Sequence, residues 1–350
     1  MDTASTGPLG IPHPEALNVV YANLESFALA ERVAFVGTAG SVVERRNADG
    51  VRFYAHQFYD GSRRQRERYL AGPVGQADAD AKAEELRARI ERMKAQVPLL
   101  RMLGREGFAL VPVRAYAAIA ALHNRGVFAA GGMLIGSHAY GVILNRMGVR
   151  VAPYVTEDVD LARGGPLAFE RAPEIGLREI LSESGVEFLE VPSLDRKAPA
   201  TKFRERGKGT LEVDLLVPSR DETFPTVRVP ELRAHATGLP YLGYLLAQSQ
   251  PGTVIMREGC CAVRVPLPER FAIHKLVVSR LRAGRSAKAG KDLGQAVVLL
   301  AALGDAHGGA IADAVAALPK RASKHFRRAR EEVRSVLEAR APRAWAELGG

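Results

Sequence analysis

Apolar residues recur at helical spacing from Pro14 to about Phe35, with a proline opening the segment, which predicts a first helix closed by Gly37 and Gly40. The pattern then switches to alternation. Ser41 to Arg46 reads as a strand, Asn47-Ala48-Asp49-Gly50 as a turn, and Val51 to Tyr59 as a second strand. Asp60-Gly61 turns again into a third strand, Arg63 to Leu70. Asp-Gly turns flanked by alternating residues are a strong hairpin signal, so the unit is expected to be a three-stranded antiparallel ribbon. A charged helix follows from Ala77 to about Leu103, acidic early and basic late, as its dipole prefers. Beyond Val111 come a helix (Arg114 to His123), an apolar segment (Val127 to Ile135), a helix (Ser137 to Met147) and a strand (Glu157 to Ala162). Another helix (Pro173 to Ser184) and strand (Val186 to Val191) precede a basic loop, then a strand from Thr210 to Val217. From Pro268 the spacing is helical to the end. This order predicts an α+β chain: a mixed sheet with flanking helices, preceded by a β-ribbon and helical region and followed by a helical domain. The expected divisions are 1–110, 111–240 and 241–350, with loops at 103–112 and near 218–240 as borders. There is no internal repeat.

Composition narrows the class. Of 350 residues, 47% are hydrophobic and 25% charged, ordinary for a globular protein with a real core. No apolar run reaches the roughly 18 residues of a membrane span, and Met1 to Pro14 lacks a signal-peptide pattern. That stretch is expected to be a flexible lead-in, and the protein cytoplasmic with no membrane partner. The two cysteines, Cys260 and Cys261, are adjacent, which argues against a disulfide framework, and they lack the companions of a zinc site. They fit a buried strand. A net charge of +10 suits a polyanionic partner such as RNA, DNA or a nucleotide, although an Arg- and Ala-rich composition also arises from a GC-rich genome.

Three segments carry candidate chemistry. In Gly131-Gly132-Met133-Leu134-Ile135-Gly136-Ser137 an apolar strand runs into Gly-Ser at a helix start. Gly136 allows close approach of a phosphate, and the helix N-terminus with the Ser137 hydroxyl offers donors. In Thr156-Glu157-Asp158-Val159-Asp160-Leu161, residues two apart on a strand share a face, so Asp158 and Asp160 are expected side by side. Like charges so placed repel unless a cation lies between them, and such oxygen pairs suit Mg²⁺ or Mn²⁺. The alternative is an edge strand with two surface acids. Within Leu211 to Val217, Asp214 stands amid apolar residues, where a lone carboxylate needs a cation or donor partner. If that strand neighbours the first, all three carboxylates converge and could hold metals about 3.5–4 Å apart.

The three segments, in this order, resemble the nucleotidyltransferase superfamily with its DNA polymerase beta-like fold. The closest likeness is to bacterial nucleotidyltransferase-fold proteins, carried by Gly131 to Tyr140, Met147-Gly148-Val149-Arg150 and Thr156 to Ala162. The gap between the Gly-Ser turn and the Asp-x-Asp pair is longer than in the smallest family members, and His138 follows Ser137 where members vary; both leave the substrate open. The resemblance implies metals on Asp158 and Asp160, with Asp214 helping to activate the attacking hydroxyl. It also implies an NTP whose phosphates sit on Gly136 and Ser137 and meet a helix lysine. Lys275, on the helix opening at Pro268, is the choice for that lysine. Asp214 is counted with the metal ligands as well.

The expected activity is Mg²⁺-dependent transfer of a nucleotidyl group from an NTP to a hydroxyl or phosphate acceptor. The alternative is a nucleic-acid-binding or toxin-antitoxin-type protein of the same fold with weak or no turnover. A metal-dependent phosphohydrolase is a third option. RNA or DNA stands open as acceptor or ligand, and so does the oligomeric state. Lys202, Arg204, Arg206 and Lys208 read as a charged loop, with a hairpin over the site as the alternative. Arg280 to Lys288 reads as a solvated helix face, as does the run from Lys320 to Arg330. Phe53, Tyr54, Phe58 and Tyr59 on the ribbon offer rings for stacking bases beside a basic strand, or they pack on the following helix. The histidines form no triad with Ser137.

Overall fold

The computed structural model describes residues 9–152, 156–192, 198–207, 209–281 and 287–349. The expected lead-in lies outside the described residues over 1–8. A two-residue strand β1 (Ile11–Pro12) then leads into helix α1 (Glu15–Ala30). That helix stops short of Phe35, and Glu31 caps it in extended backbone. Strands β2 (Ser41–Arg46), β3 (Arg52–Tyr59) and β4 (Gln65–Ala71) form the antiparallel ribbon in the order β2-β3-β4. Helix α2 (Ala77–Arg105) packs across it, burying Ala79 and Ala83 against Tyr54 and Ala71. A second core under the ribbon joins Tyr21 and Leu24 of α1 to Ile90, Met93 and Leu100 of α2.

The middle of the chain builds the main sheet. Helix α3 (Val113–Asn124) precedes β5 (Gly132–Ile135) and α4 (Gly136–Arg146), and a two-residue β6 (Val149–Arg150) pairs back with β1. There follow β7 (Val159–Arg163), α5 (Leu177–Ser182), β8 (Phe188–Glu190), β9 (Lys202–Glu205), β10 (Glu212–Pro218), β11 (Thr226–Val229) and β12 (Ala234–Leu239). The strand order is β11-β12-β10-β7-β5, with β9 pairing β10 and β8 pairing β9. The sheet is mixed, with β10 parallel to both β7 and β12 and the other pairs antiparallel.

Two expectations fail here. The basic segment before Asp214 is not a loop: Lys202 to Glu205 is a strand, because Phe203 between the cations is 2% exposed and fills the core. Lys208 lies outside the described residues. The region 218–240 is not a bare loop either, since it supplies β11 and β12 to the main sheet.

The register of the central pair fixes the site. Val159, Leu161, Val213 and Leu215 are at most 1% exposed and point into the core. A fully buried aliphatic side chain contributes roughly 1.5–3 kcal/mol, so these four favour the register that leaves the two carboxylates on the opposite face. A slip of one residue would turn the carboxylates into the core.

Beyond the sheet, α6 (Leu242–Leu246) leads to the hairpin β13 (Ser249–Met256) and β14 (Gly259–Pro266). Cys260 and Cys261 are free thiols buried in β14, as their small apolar character suggested. Helices α7 (Pro268–Ser279), α8 (Ala287–Ala306), α9 (Ala310–Ala316), α10 (Ser323–Arg340) and α11 (Pro342–Glu347) complete the chain. One continuous core joins α3, the main sheet and these helices. Among the described residues, no helix is long and apolar enough to cross a membrane.

Candidate active site

Asp160 and Asp214 are direct partners across the parallel pair β7 and β10, and Ile135, the last residue of β5, lies opposite Asp160 on the other side. The next residue, Gly136, opens α4 with φ +66°, a left-handed conformation that glycine adopts without strain. Its position is closed to any side chain: a Cβ there would lie 1.9 Å from Asp160 Oδ2. The Gly-Ser turn and the second aspartate are therefore in direct steric contact.

Asp158 does not lie in the strand with Asp160, because β7 begins only at Val159. It precedes the strand as an exposed residue, so the two acids are not simple i, i+2 neighbours on a pleat. It nevertheless lines the same cavity of about 710 Å³ as Gly136, Ser137, Asp160, Asp214 and Lys275. All six candidate residues thus face one space, in the size range of small-molecule sites.

A family profile described as nucleotidyltransferase matches residues 114–319, well over half of the chain, from α3 to the segment before α10. The chain belongs to the nucleotidyltransferase family. No curated protein matches it, and no solved structure does.

The site's charges are tightly interlocked. Burial pushes the Asp160 carboxyl up to about 7, and the neighbouring charges of Asp214 and Asp158 push the same way, against Lys275 and Lys202. Asp214 is also raised by burial, while Lys202 pulls it down. Lys202 Nζ lies 2.7 Å from Glu212 Oε2 and 3.4 Å from Asp214 Oδ2, so one ammonium bridges two acids on the same face of β10. Burial alone would pull that lysine down, yet the paired carboxylates raise it. Arg204 holds the other side of Glu212.

Across the cavity, helices α7 and α8 present a cationic wall. Lys275 Nζ is 2.7 Å from Asp292 Oδ1, and both side chains are largely buried. Lys288 and Lys291 line the cavity as well. Burial holds the Lys291 ammonium below its ordinary value, as does Lys275, against Asp292, Asp158 and Asp160. The segment read as a solvated face is exposed at Lys288, where it also borders the cavity, and Arg280 pairs with Glu332 away from it. Arg282 and Arg285 lie outside the described residues. Glu212 and Lys291 carry no role in the reading of the sequence, Lys202 falls in the segment whose alternative was a hairpin over the site, and Lys288 falls in the one read as a solvated face. For Lys202 a signal existed in the alternation of cations around Phe203. For the α8 lysines none did, because their orientation follows from how α8 packs on α7.

The candidate ligands Asp158, Asp160 and Asp214 offer oxygen donors, the hard type that Mg²⁺ and Mn²⁺ take, and His274 also lines the cavity. Among the described residues no group of three or more His, Cys, Asp or Glu side chains is placed to hold a metal ion. Mg²⁺ usually binds through one or two carboxylates plus substrate phosphates rather than in an all-protein cage, so an open pair suits it.

On the ribbon, Tyr54 and Phe58 are buried, and the Tyr54 hydroxyl donates to Asp80 Oδ1 of α2 at 2.9 Å. Those rings pack inward, whereas Tyr59 is 51% exposed.

Proposed function

We propose that the chain is a Mg²⁺-dependent (or Mn²⁺-dependent) enzyme that moves a nucleotidyl group from an NTP to a hydroxyl or phosphate acceptor. The observation that carries this reading is the in-register pair Asp160 and Asp214, with Gly136 packed against Asp160 and a lysine wall opposite. Asp158 and Asp160 would hold the metal. When bound, Mg²⁺ supplies charge neutralisation on the triphosphate and polarises its oxygens.

The chain's own groups do the rest. Ser137 and the N-terminal amides of α4 orient the phosphates, as helix N-termini do. Lys275, Lys288 and Lys291 face the departing end and offset its charge. Asp214, whose rise on burial Lys202 opposes, accepts the acceptor's proton while the acceptor oxygen attacks the α-phosphorus. The bond from the α-phosphorus to the bridging oxygen breaks and pyrophosphate leaves. The wide cavity leaves room for a bulky acceptor, with RNA, DNA and small molecules all candidates. A cytoplasmic location fits an NTP-dependent activity.

Calorimetric titration of an NTP with Mg²⁺ tests the reading. Wild type is expected to bind and the Asp158→Ala/Asp160→Ala double variant to lose binding; equal binding by both contradicts it. A second reading, nucleic-acid binding with little turnover, draws on the exposed rings of Tyr59 and Tyr69 on the ribbon. It requires RNA or DNA binding that survives loss of all three aspartates.

A further inference from the structure

The chemistry of the cavity floor changes across the sheet, whose strand order is β11-β12-β10-β7-β5. The Gly-Ser turn follows β5, Asp160 lies on β7 and Asp214 on β10. Two residues beyond Asp214, Leu216 pairs with Thr237 of β12, and Leu239 follows Thr237 on the same face. All three line the cavity, so its floor turns mostly apolar on the side away from the Gly-Ser turn. An in-line transfer sets the attacking oxygen opposite the departing pyrophosphate, which places the acceptor on this β12 side.

The loop between β10 and β11 brings a ring to that side. Phe224 lines the cavity yet is 58% exposed, which puts it at the mouth. A single exposed ring is ordinary on a protein surface. This one stands on a loop that is held from below. Glu222 accepts from the Tyr241 hydroxyl and meets His325 Nε2 at 2.9 Å, and the Arg321 guanidinium donates to the Arg220 carbonyl. Asp221 accepts from the Thr223 amide at 2.9 Å. Pro225 restricts the backbone of Phe224 as well. The ring is therefore preorganised where the acceptor must lie.

The anchor also carries positive charge. Arg321 sits in a 3₁₀ turn (Lys320–Ala322) that runs directly into α10. Arg321, Lys324 and Arg328 recur at spacings of three and four, which aligns them along one side of the helical segment. Hydrogen bonds from Tyr241 and His325 hold the Glu222 carboxyl below its ordinary value, and the nearby Lys324 adds to them. Arg220, Arg321, Lys324 and Arg328 are all exposed, and among the described residues none of them is in an ion pair. The loop's two acids, Asp221 and Glu222, are engaged in the anchor, so the strip is net positive.

We propose that the acceptor is a single-stranded nucleic acid whose 3′-terminal base stacks on Phe224 while its upstream phosphates lie along Arg220, Arg321, Lys324 and Arg328. A flat base matches the ring and the apolar floor, and a polyanion matches the cations. A stacking ring beside a cationic track is the usual means of holding a single strand without reading its sequence. The 3′ end is the one that bears a free hydroxyl to present to Asp214. That last role rests on the transfer reading, whereas the platform stands on the ring and the cations alone.

The test measures the platform without turnover. Full-length protein, free of NTP and Mg²⁺, is titrated by fluorescence anisotropy with 5′-labelled single strands of about 12 nucleotides, one RNA and one DNA. A second pair of strands carries 2-aminopurine, a base whose fluorescence falls on stacking, at the 3′ end or near the 5′ end. One or both strand types are expected to bind, and only the 3′-terminal 2-aminopurine to dim. Phe224→Ala should weaken binding roughly 5-fold to 100-fold and abolish the dimming, and Phe224→Tyr should retain both. Arg328→Gln should reduce the slope of log affinity against log salt by about 0.7. The Asp158→Ala/Asp160→Ala variant should bind the strands at least as tightly as wild type, so failure of the transfer reading leaves these results standing. Binding of both strands weaker than about 100 µM at low salt would overturn the proposal. So would binding untouched by Phe224→Ala and Arg328→Gln, which would place the strand on another surface. Loss of NTP affinity in Phe224→Ala with strand binding intact would assign the ring to the nucleotide and overturn it too.

Discussion

Replacing Gly136 with alanine perturbs the site at its tightest point. The residue sits at φ +66°, and a Cβ there would lie 1.9 Å from Asp160 Oδ2. Two costs follow. The backbone cost of a left-handed alanine is about 1–2 kcal/mol. The steric cost falls on Asp160, whose carboxylate must retreat by roughly 1.5 Å to reach ordinary contact, and a misplacement of even about 1 Å at a reacting centre costs about 100-fold in rate. Gly126 separates the two effects, because its φ is +71° with nothing within 4 Å of an added Cβ. Gly126→Ala therefore pays the backbone cost alone. Both variants are expected to melt a few degrees below wild type, and only Gly136→Ala to lose about 100-fold in kcat/KM for nucleotidyl transfer. Transfer by Gly136→Ala within about threefold of Gly126→Ala would refute the claim that this contact positions Asp160.

Three further outcomes follow from the same charges. Lys202 holds Asp214 down, so Lys202→Met lets the Asp214 carboxyl rise, and the acidic limb of the kcat/KM profile should move to higher pH; an unmoved limb argues against Asp214 as the base. Asp160, pushed up to about 7 in the fold, binds its proton more tightly folded than unfolded. Its contribution to stability is full below about pH 4 and is lost as pH rises through the folded value. Melting of metal-free wild type should therefore fall across that window, Asp160→Asn should flatten the fall, and Mg²⁺ should raise the wild-type melting temperature at pH 8 but not that of the variant. Lys275→Met removes one charged partner of the buried Asp292, and chemical denaturation should register a loss of about 1.5–3 kcal/mol together with a raised KM for NTP.

Local signals carried much of this structure. The ribbon follows from its Asp-Gly turns and alternation, and the strands bearing Asp160 and Asp214 follow from acids set among β-branched and aliphatic residues. Asp158 was misplaced by the same logic, because the alternation runs one residue further back than the pairing that defines β7. Strands β9, β11 and β12 were missed for a different reason. They are short, charged or flanked by proline, and what holds them is pairing with strands distant in sequence, as when β12 lies parallel to β10 through Leu216 and Thr237. The placement of the exposed Lys288 and Lys291 at the cavity edge is likewise a product of helix packing that no local pattern encodes. At Lys202 the signal was present, since a single buried Phe203 between two cations marks a strand with one face in the core.

The central claim is that this cavity transfers the α-phosphoryl end of a nucleotide. The most direct measurement compares α-labelled with γ-labelled NTP, incubated with the protein, Mg²⁺ and a total cellular extract of RNA, protein and small molecules. The account predicts α-label retained on an acceptor, γ-label released as pyrophosphate, and both lost in Asp160→Asn. Release of γ-label as inorganic phosphate with no α-label retained would contradict it.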